Sequence, residues 1–464
     1  ENQEEEPRLA RELARLGADV DEVNIDEGMR TRNRVYYVDI VTDDIVLNAE
    51  AVNSDAEAPK NFKDADGTEE MRKTWVASMH REINQFLKRD AWGRYDRTML
   101  PSGQKPLKVR WIFRNKHGED NEVEHKGRIV IKGYTEIPGV DYTDTFAPVA
   151  TSTAINMVLA TALFREPEGW KLETVDIEAA FLESDMDPNL KVFIEWPEGM
   201  VELGYIDEKT RRDTCIKLNA PMYGKVDVPL MFKRTLSKHL TEKMGCQESK
   251  LDPCVHRYME GGKVIAVTAS NVDDILIGGT QEAILRFKKG LKERFNTKEL
   301  GPLRRHLQVS YEHRVDKEGE SSWVATLPEL RKAIIEHTER VLGREVDVGV
   351  TPGYPRKYLR KQEGEPHKLD EYRSIVGKLL YYARKVSPEL LNVVRELAQF
   401  LASPGENHWK TLVRCVGYVK LNRFKGELVI KAPKEMRVIS GADANHATDE
   451  DDRKSVMGEV HTLG

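Results

Sequence analysis

The chain has 464 residues, 39% hydrophobic and 32% charged, with a formal net charge of -6. This is the composition of a surface-rich globular protein of about two to four domains, and no apolar run approaches the roughly 18–20 residues of a membrane span. The charge is uneven: residues 1–70 hold 20 Asp+Glu against 8 Lys+Arg, the remainder 58 against 64, so an acidic leader precedes a mildly basic body.

The N-terminus, ENQEEEPRLA, has neither an initiator Met nor an apolar h-region. It reads as no signal peptide, and the chain as a piece of something longer. Residues 1–70 are expected to be a largely disordered leader and linker, with a helical signal only at Arg8–Leu16. Order is expected from residue 71, where Trp75, Met79, Ile83, Phe86 and Leu87 recur at helical spacing. Two alternating runs, LKVRWIFRNK and HKGRIVIKGY, predict a strand pair across the polar turn HGEDNEVE. STAINMVLATALFRE predicts a helix, WKLETVDI a strand, EAAFLESD a further helical stretch and VDVPLMFKRTLSKHL a long helix. CVHRYM, KVIAVTAS and ILIGG predict a meander, followed by a basic helix at EAILRFKKGLKERF. Beyond residue 330 the pattern is mostly helical, broken at GVTPGYPRKYLRKQEGEPHKL. Strands and helices without regular alternation give an α+β class. Cys215, Cys246, Cys254 and Cys415 form no C-x-x-C, which speaks for core thiols in a reducing compartment.

The meander turns at SNVDDILIGG, where Asp273 and Asp274 stand side by side. Adjacent carboxylates resist joint ionisation unless a cation or Arg intervenes. The pair reads either as a solvated turn or as a cation site. Asp176, at the end of WKLETVDI, adds a strand-end acid of the kind that two-metal polymerase sites use.

From about Trp75 onward the chain resembles the reverse transcriptase of copia-type LTR retrotransposons. WVASMHREINQF resembles its W-x-x-A-M-x-x-E helix, and HKGRIVIKGYTEIPGVDYTDTFAPVA its fingers signature. VDIEAAFLESDM is similar to the aspartate-bearing D-V-x-x-A-F-L-x-G, IKLNAPMYGKVDVP to L-x-x-x-L-Y-G-L-K-Q-x-P, and NVDDILIGG to the Y-V-D-D strand. The run from Tyr372 to Val419 resembles the connection leading into RNase H.

The resemblance implies an α+β right-hand polymerase fold of fingers, palm and thumb, followed by a connection region and an incomplete RNase H-like C-terminus. The implied boundaries are 71–300 for fingers and palm, 301–365 for primer grip and thumb, 366–435 for the connection and 436–464 for the start of RNase H. It implies an RNA-directed DNA polymerase with Asp176, Asp273 and Asp274 as catalytic metal ligands and the Ile177 carbonyl as a further ligand. Two Mg²⁺ ions, with Mn²⁺ as substitute, are the implied cofactors. Lys126, Arg128 and Lys132 would hold the dNTP, Phe181 would act as steric gate, and Tyr223 and Gly224 would pack the nascent base pair. Asp443 would be the first RNase H aspartate; RNase H activity is not expected of this chain alone, which ends at Gly464.

The implied partners are an RNA template, a DNA or RNA primer, dNTPs and other Pol domains (integrase, protease, RNase H), with no membrane. The implied location is the cytoplasmic retrotransposon particle or the nucleus, not the secretory route. Four positions depart from the family pattern: Asn271 for its Tyr, Lys225-Val226-Asp227 for L-K-Q, Asp185 for Gly, and Gln308 for the Gly of F-L-G-I. These departures leave a second reading: a decayed relic that binds nucleic acid or a partner without polymerising.

Overall fold

The computed structural model describes residues 58–117, 123–137, 144–186, 190–354, 359–421, 426–444 and 455–463, with positions 139, 142, 451 and 453 besides. Order starts before residue 71. Asn61 accepts from the Asp64 N–H and caps α1 (Phe62–Asp66); Thr68 accepts from the Met71 N–H and caps α2 (Glu69–Lys88). Phe62 and Ala65 are buried, so two caps and two apolar residues overrule the acidic composition at the end of the expected leader. Residues 1–57, including the Arg8–Leu16 signal, lie outside the described residues. In α2, Trp75, Met79, Ile83 and Phe86 are buried, but Leu87 is 47% exposed, since one residue past Phe86 is a 100° step off the apolar face.

After β1 (Trp92–Asp96), β2 (Val109–His117) and β3 (Val123–Ile131) pair antiparallel, Trp111 opposite Ile129. A lone strand pair leaves one edge of β3 without partners, and α2 supplies them. Ser78 Oγ accepts from the Gly127 N–H (2.5 Å), and the Glu82 carboxylate from the Ile129 N–H (3.1 Å).

Next come α3 (Ser152–Phe164), capped by Thr151, and β4 (Trp170–Ile177). The helical stretch expected after β4 is a single 3-10 turn, Ala180–Glu183, entered through Ala179 in the left-handed region at φ +53°. β5 (Phe193–Ile194), α4 (Glu208–Asp213) and β6 (Thr214–Leu218) follow, and a small sheet has the order β1-β6-β5. Then come α5 (Val228–Lys238), β7 (Gln247–Glu248), β8 (Val255–Glu260), β9 (Lys263–Asn271), β10 (Asp274–Thr280), α6 (Gln281–Lys292) and β11 (Thr297–Pro302).

The six-stranded antiparallel sheet that carries the acids has the order β11-β4-β10-β9-β8-β7. Its two faces are covered by different elements. Leu172 and Leu276 pack with Ile155, Val158 and Leu159 of α3, while Val175, Ile275 and Ile277 pack with Phe232 of α5 and Ile284 and Phe287 of α6. Covered faces explain why β10 reads as a nearly continuous apolar run from Ile275 to Gly279 rather than an alternating one.

The chain then builds β12 (Arg305–His306), β13 (Val309–Val315), β14 (Ser321–Thr326), α7 (Pro328–Leu342), α8 (Leu369–Lys385), α9 (Leu391–Ala398), α10 (Glu406–Leu421) and β15 (Glu427–Lys431). The boundary expected between residues 365 and 366 does not divide this part. β15 returns to pair with β14, and Ile334, Tyr372, Leu379, Val394 and Leu412 share one core. A break in helical pattern is a poor domain marker where the later strand completes the earlier sheet.

Last, β16 (Val438–Ala444) and β17 (Met457–Leu463) form a two-stranded hairpin, exposed along nearly its whole length. All four cysteines are free and buried. Among the described residues no helix is long and apolar enough to cross a membrane. The class is α+β, as expected.

Candidate active site

Strand register brings the three acids together. Asp274 lies opposite Asp176 across β10 and β4, and opposite Asn271 across β10 and β9. The β9–β10 turn therefore consists of Val272 and Asp273 alone. Val272 sits at φ +53°, a region costly for a β-branched residue. The ladders on both sides hold it there, and the Ile177 N–H donates to the Asp273 carbonyl (2.9 Å). Ile177 itself is buried beneath the turn.

Crowding by protein atoms pushes the Asp273 pKa up to about 6, its own backbone N–H pulls it down, the like charges of Asp176 and Asp274 push it up again, and Arg128 opposes them. Residue 273 is exposed, so water reaches its carboxylate. A bound cation would offset both the dehydration that chiefly raises this pKa and the repulsion from Asp176 and Asp274. Among the described residues no group of three or more His, Cys, Asp or Glu side chains is placed to hold a metal ion. Mg²⁺ is commonly held by one or two carboxylates with substrate oxygens completing its shell, and this donor set fits that manner of binding.

Beside the acids, Phe181 and Tyr223 meet with ring centroids 5.2 Å apart, and the Arg128 guanidinium lies 4.8 Å from the centre of the Tyr223 ring. Arg128 on β3 acts electrostatically on both Asp273 and Glu82, and Lys126 on Glu82. Lys132 lies one residue past the end of β3, where its N–H donates to the Lys108 carbonyl (2.9 Å). Gly224 has φ +89°, and a Cβ there would stand 2.2 Å from the Ile131 carbonyl oxygen. Only glycine permits this approach, which lets the Ile131 N–H donate to the Tyr223 carbonyl (2.8 Å) and ties β3 to the Tyr223 segment. Arg128, Phe181, Tyr223 and the acids thus converge, while Lys126 and Lys132 lie further along the fingers strand.

The charged departures from the family pattern, at 225–227 and at Asp185, have partners that residue order did not reveal. Lys225 and Asp227 are buried and paired at 2.5 Å, with Glu136 3.7 Å from the same ammonium; Glu136 also accepts from the Val226 N–H (2.9 Å). Asp227, which departs from the family pattern, is therefore sealed inside an ion cluster. Asp185 pairs with Arg294 (3.1 Å). Gln308 adopts φ +64°, a conformation the family's Gly takes without strain. Sequence reading also missed His306, whose Nδ1 lies 3.0 Å from Asp274 Oδ1.

The basic helix expected at EAILRFKKGLKERF is not a free cationic face. α6 packs on the palm sheet, Lys288 is buried against Glu173, and Lys292 and Arg286 pair with Glu299 and Glu260. Of the basic run RKYLRK at 356–361, residues 356–358 lie outside the described residues. Asp443 lies on the exposed C-terminal hairpin opposite Gly458.

Residues 93–317 match the family model described as reverse transcriptase (RNA-dependent DNA polymerase). The retrovirus-related Pol polyprotein from transposon TNT 1-94 of Nicotiana tabacum is 27% identical over 422 residues, covering 88% of this chain and 30% of that protein. Its counterpart from transposon RE1 of Arabidopsis thaliana is 30% identical over 397 residues, covering 84% and 25%. The chain thus spans under a third of the length of these curated relatives. A foamy viral protease–reverse transcriptase, solved in complex with double-stranded DNA, is 11% identical with a TM-score of 0.26, covering 84% of this chain and 55% of that one. In residues 93–317 the chain carries a domain of the reverse transcriptase family, akin to those of retrovirus-related Pol polyproteins of plant transposons.

Proposed function

We propose that this chain is the polymerase part of a copia-type Pol polyprotein, extending a DNA or RNA primer on an RNA template from dNTPs. One observation carries the reading: the β9–β10 turn sets Asp273 and Asp274 beside Asp176 in antiparallel register. Asp176 and Asp273, with the Ile177 carbonyl and Asp274, would hold two Mg²⁺ ions. Bound there, the ions would supply the Lewis acidity that activates a primer 3′-OH and steadies a departing pyrophosphate.

The remaining work belongs to side chains that bind, orient and exclude. Arg128 carries a fixed positive charge beside the acids, placed to attract a triphosphate and to steady charge that grows during transfer. Lys126 and Lys132 would extend that attraction along the fingers. Phe181, braced by Tyr223 and by Phe232 at 6.4 Å, offers a stiff ring against which a 2′-OH would clash. Tyr223 and Gly224 would floor the nascent base pair. Template and primer phosphates would add salt-dependent affinity through Lys and Arg.

The decayed-relic reading rests on the four departures. The closed Lys225–Asp227–Glu136 cluster and the Asp185–Arg294 pair support the active reading instead, because in both cases a charge in an altered position has a partner of opposite sign. The test is primer extension on an RNA template with dNTPs and Mg²⁺ or Mn²⁺, beside an Asp273→Ala/Asp274→Ala control. Extension that disappears in the control supports the polymerase; no extension from the folded protein with either metal favours the relic.

A further inference from the structure

Asp274 is gripped by a turn belonging to the next part of the chain. We propose that His306 is a positioning residue that fixes the Asp274 carboxylate for cation binding, an inference that rests on the polymerase reading above. His306 ends β12 and is 2% exposed. Its Nδ1 stands 3.0 Å from Asp274 Oδ1, while the Leu307 N–H donates to Oδ2 at 3.4 Å. Both carboxylate oxygens of Asp274 therefore face this one turn.

The turn is held under strain. Leu307 and Gln308 both sit in the left-handed region, at φ +48° and +64°, with no glycine to ease them. Tyr381 of α8 restrains it from behind, its hydroxyl donating to the Leu307 carbonyl at 2.7 Å. Strain of this kind persists where the surroundings over-determine it, here β12, β13 and α8 together.

The ring's polar atoms point to the carboxylate as their partner. Neither nitrogen of His306 makes a hydrogen bond among the described residues, and neither does Asp274 Oδ1, although the two groups stand 3.0 Å apart. The contact is close enough but out of line. Buried polar atoms left in this state are costly, and a small turn of the imidazole would align Nδ1–H with Oδ1. A carboxylate has about four lone-pair sites, so one bond to His306 and one to Leu307 leave others for a cation. The family's F-L-G-I pattern would put Phe at this place, where this chain has His306.

The test follows Mn²⁺ binding to the full chain by EPR, with melting temperature and primer–template affinity measured alongside. Wild type should bind Mn²⁺, and Asp273→Asn should lose it. His306→Phe keeps a flat ring of similar size but no nitrogen, and should weaken Mn²⁺ binding on the order of tenfold at unchanged primer–template affinity. His306→Gln, whose amide can still donate, should recover most of the loss, and Tyr381→Phe should weaken binding less than His306→Phe. Wild-type Mn²⁺ affinity in His306→Phe, with binding still lost in Asp273→Asn, overturns the role of His306 and leaves the polymerase reading standing. Mn²⁺ binding that is absent from wild type, or indifferent to Asp273→Asn, overturns the polymerase reading and this inference with it. If Phe is not tolerated at 306, His306→Leu and Tyr381→Phe carry the same test, and wild-type affinity in both overturns the proposal.

Discussion

Two clusters of charge adjoin the Tyr223–Gly224 segment, and they are built on opposite rules. At the end of the central sheet, Asp176, Asp273 and Asp274 gather like charge at a surface that water reaches. A few residues along, Glu136, Lys225 and Asp227 gather mixed charge where water does not reach, with Lys225 and Glu136 side chains fully buried. The second arrangement closes on itself: a buried ammonium meets two carboxylates and a backbone N–H supplies a further bond. The first does not, since each acid raises the cost of ionising its neighbour. Charge that is closed serves the fold, whereas charge that is crowded and accessible is available to a ligand.

The largest expected effects separate these two roles. Asp176→Asn or Asp273→Asn should lower primer extension by on the order of 10³ or more, at least the scale of removing one preorganised electrostatic group, with no loss of melting temperature. Lys225→Met should behave in the reverse way. Two carboxylates would remain buried without their cation, at a cost of about 3–5 kcal/mol of stability by denaturant titration. The extension rate per folded molecule should change far less than in the aspartate variants. A stable Lys225→Met protein that cannot extend a primer would break the division between the clusters.

How much of this was legible beforehand depended on how local the signal was. β4 could be read to the residue because WKLETVDI, between Gly169 and Glu178, alternates apolar with polar side chains over most of its length. The acids could be read because a two-residue turn fixes their register. The ion cluster could not: Glu136 lies 89 positions before Lys225, and only the close backbone approach at Gly224 brings their segments together. Nor could the His306 contact, since residue 306 follows Asp274 by 32 positions and returns through a helix and a strand. The tie across residue 365 was hidden for the same reason, as β15 completes a sheet begun a hundred residues earlier. Charged departures from a motif looked like damage in the sequence because their partners lie far away along the chain.

Two further tests sharpen the contrast at smaller scale. Phe181 touches Tyr223 beside the crowded acids, so Phe181→Ala should relax discrimination against ribonucleotides by about 10–100-fold, read as the ratio of kcat/KM for dNTP and rNTP. Unchanged discrimination would make Phe181 a packing residue of the core it adjoins. Asp443 offers a control of another kind, because it is a carboxylate on an exposed hairpin that pairs with neither cluster's strands. Asp443→Asn should leave primer extension unchanged, and any RNA-template cleavage that it abolished would show a second active centre at the C-terminal hairpin.

The finest test of crowding is a pH dependence. Asp273 has its pKa raised from 3.8 to about 6, so the folded chain binds this proton more tightly than the unfolded chain does. The sign follows from that difference: the protonated group favours folding below about pH 3.8, and the advantage is lost as pH rises toward 6. Because the residue is exposed and screened, the effect should be on the order of 1 kcal/mol or less. In the absence of metal, Asp273→Asn should therefore melt about 1–3 °C above wild type at pH 7 and approach it at pH 4. Added Mn²⁺ should raise wild type alone and narrow the gap at pH 7, since only wild type retains the ligand. A gap that stays constant from pH 4 to pH 8 would mean that Asp273 feels no repulsion from Asp176 and Asp274. The sheet end would then be an ordinary solvated turn, and the cation it is proposed to hold would have no like charge to relieve.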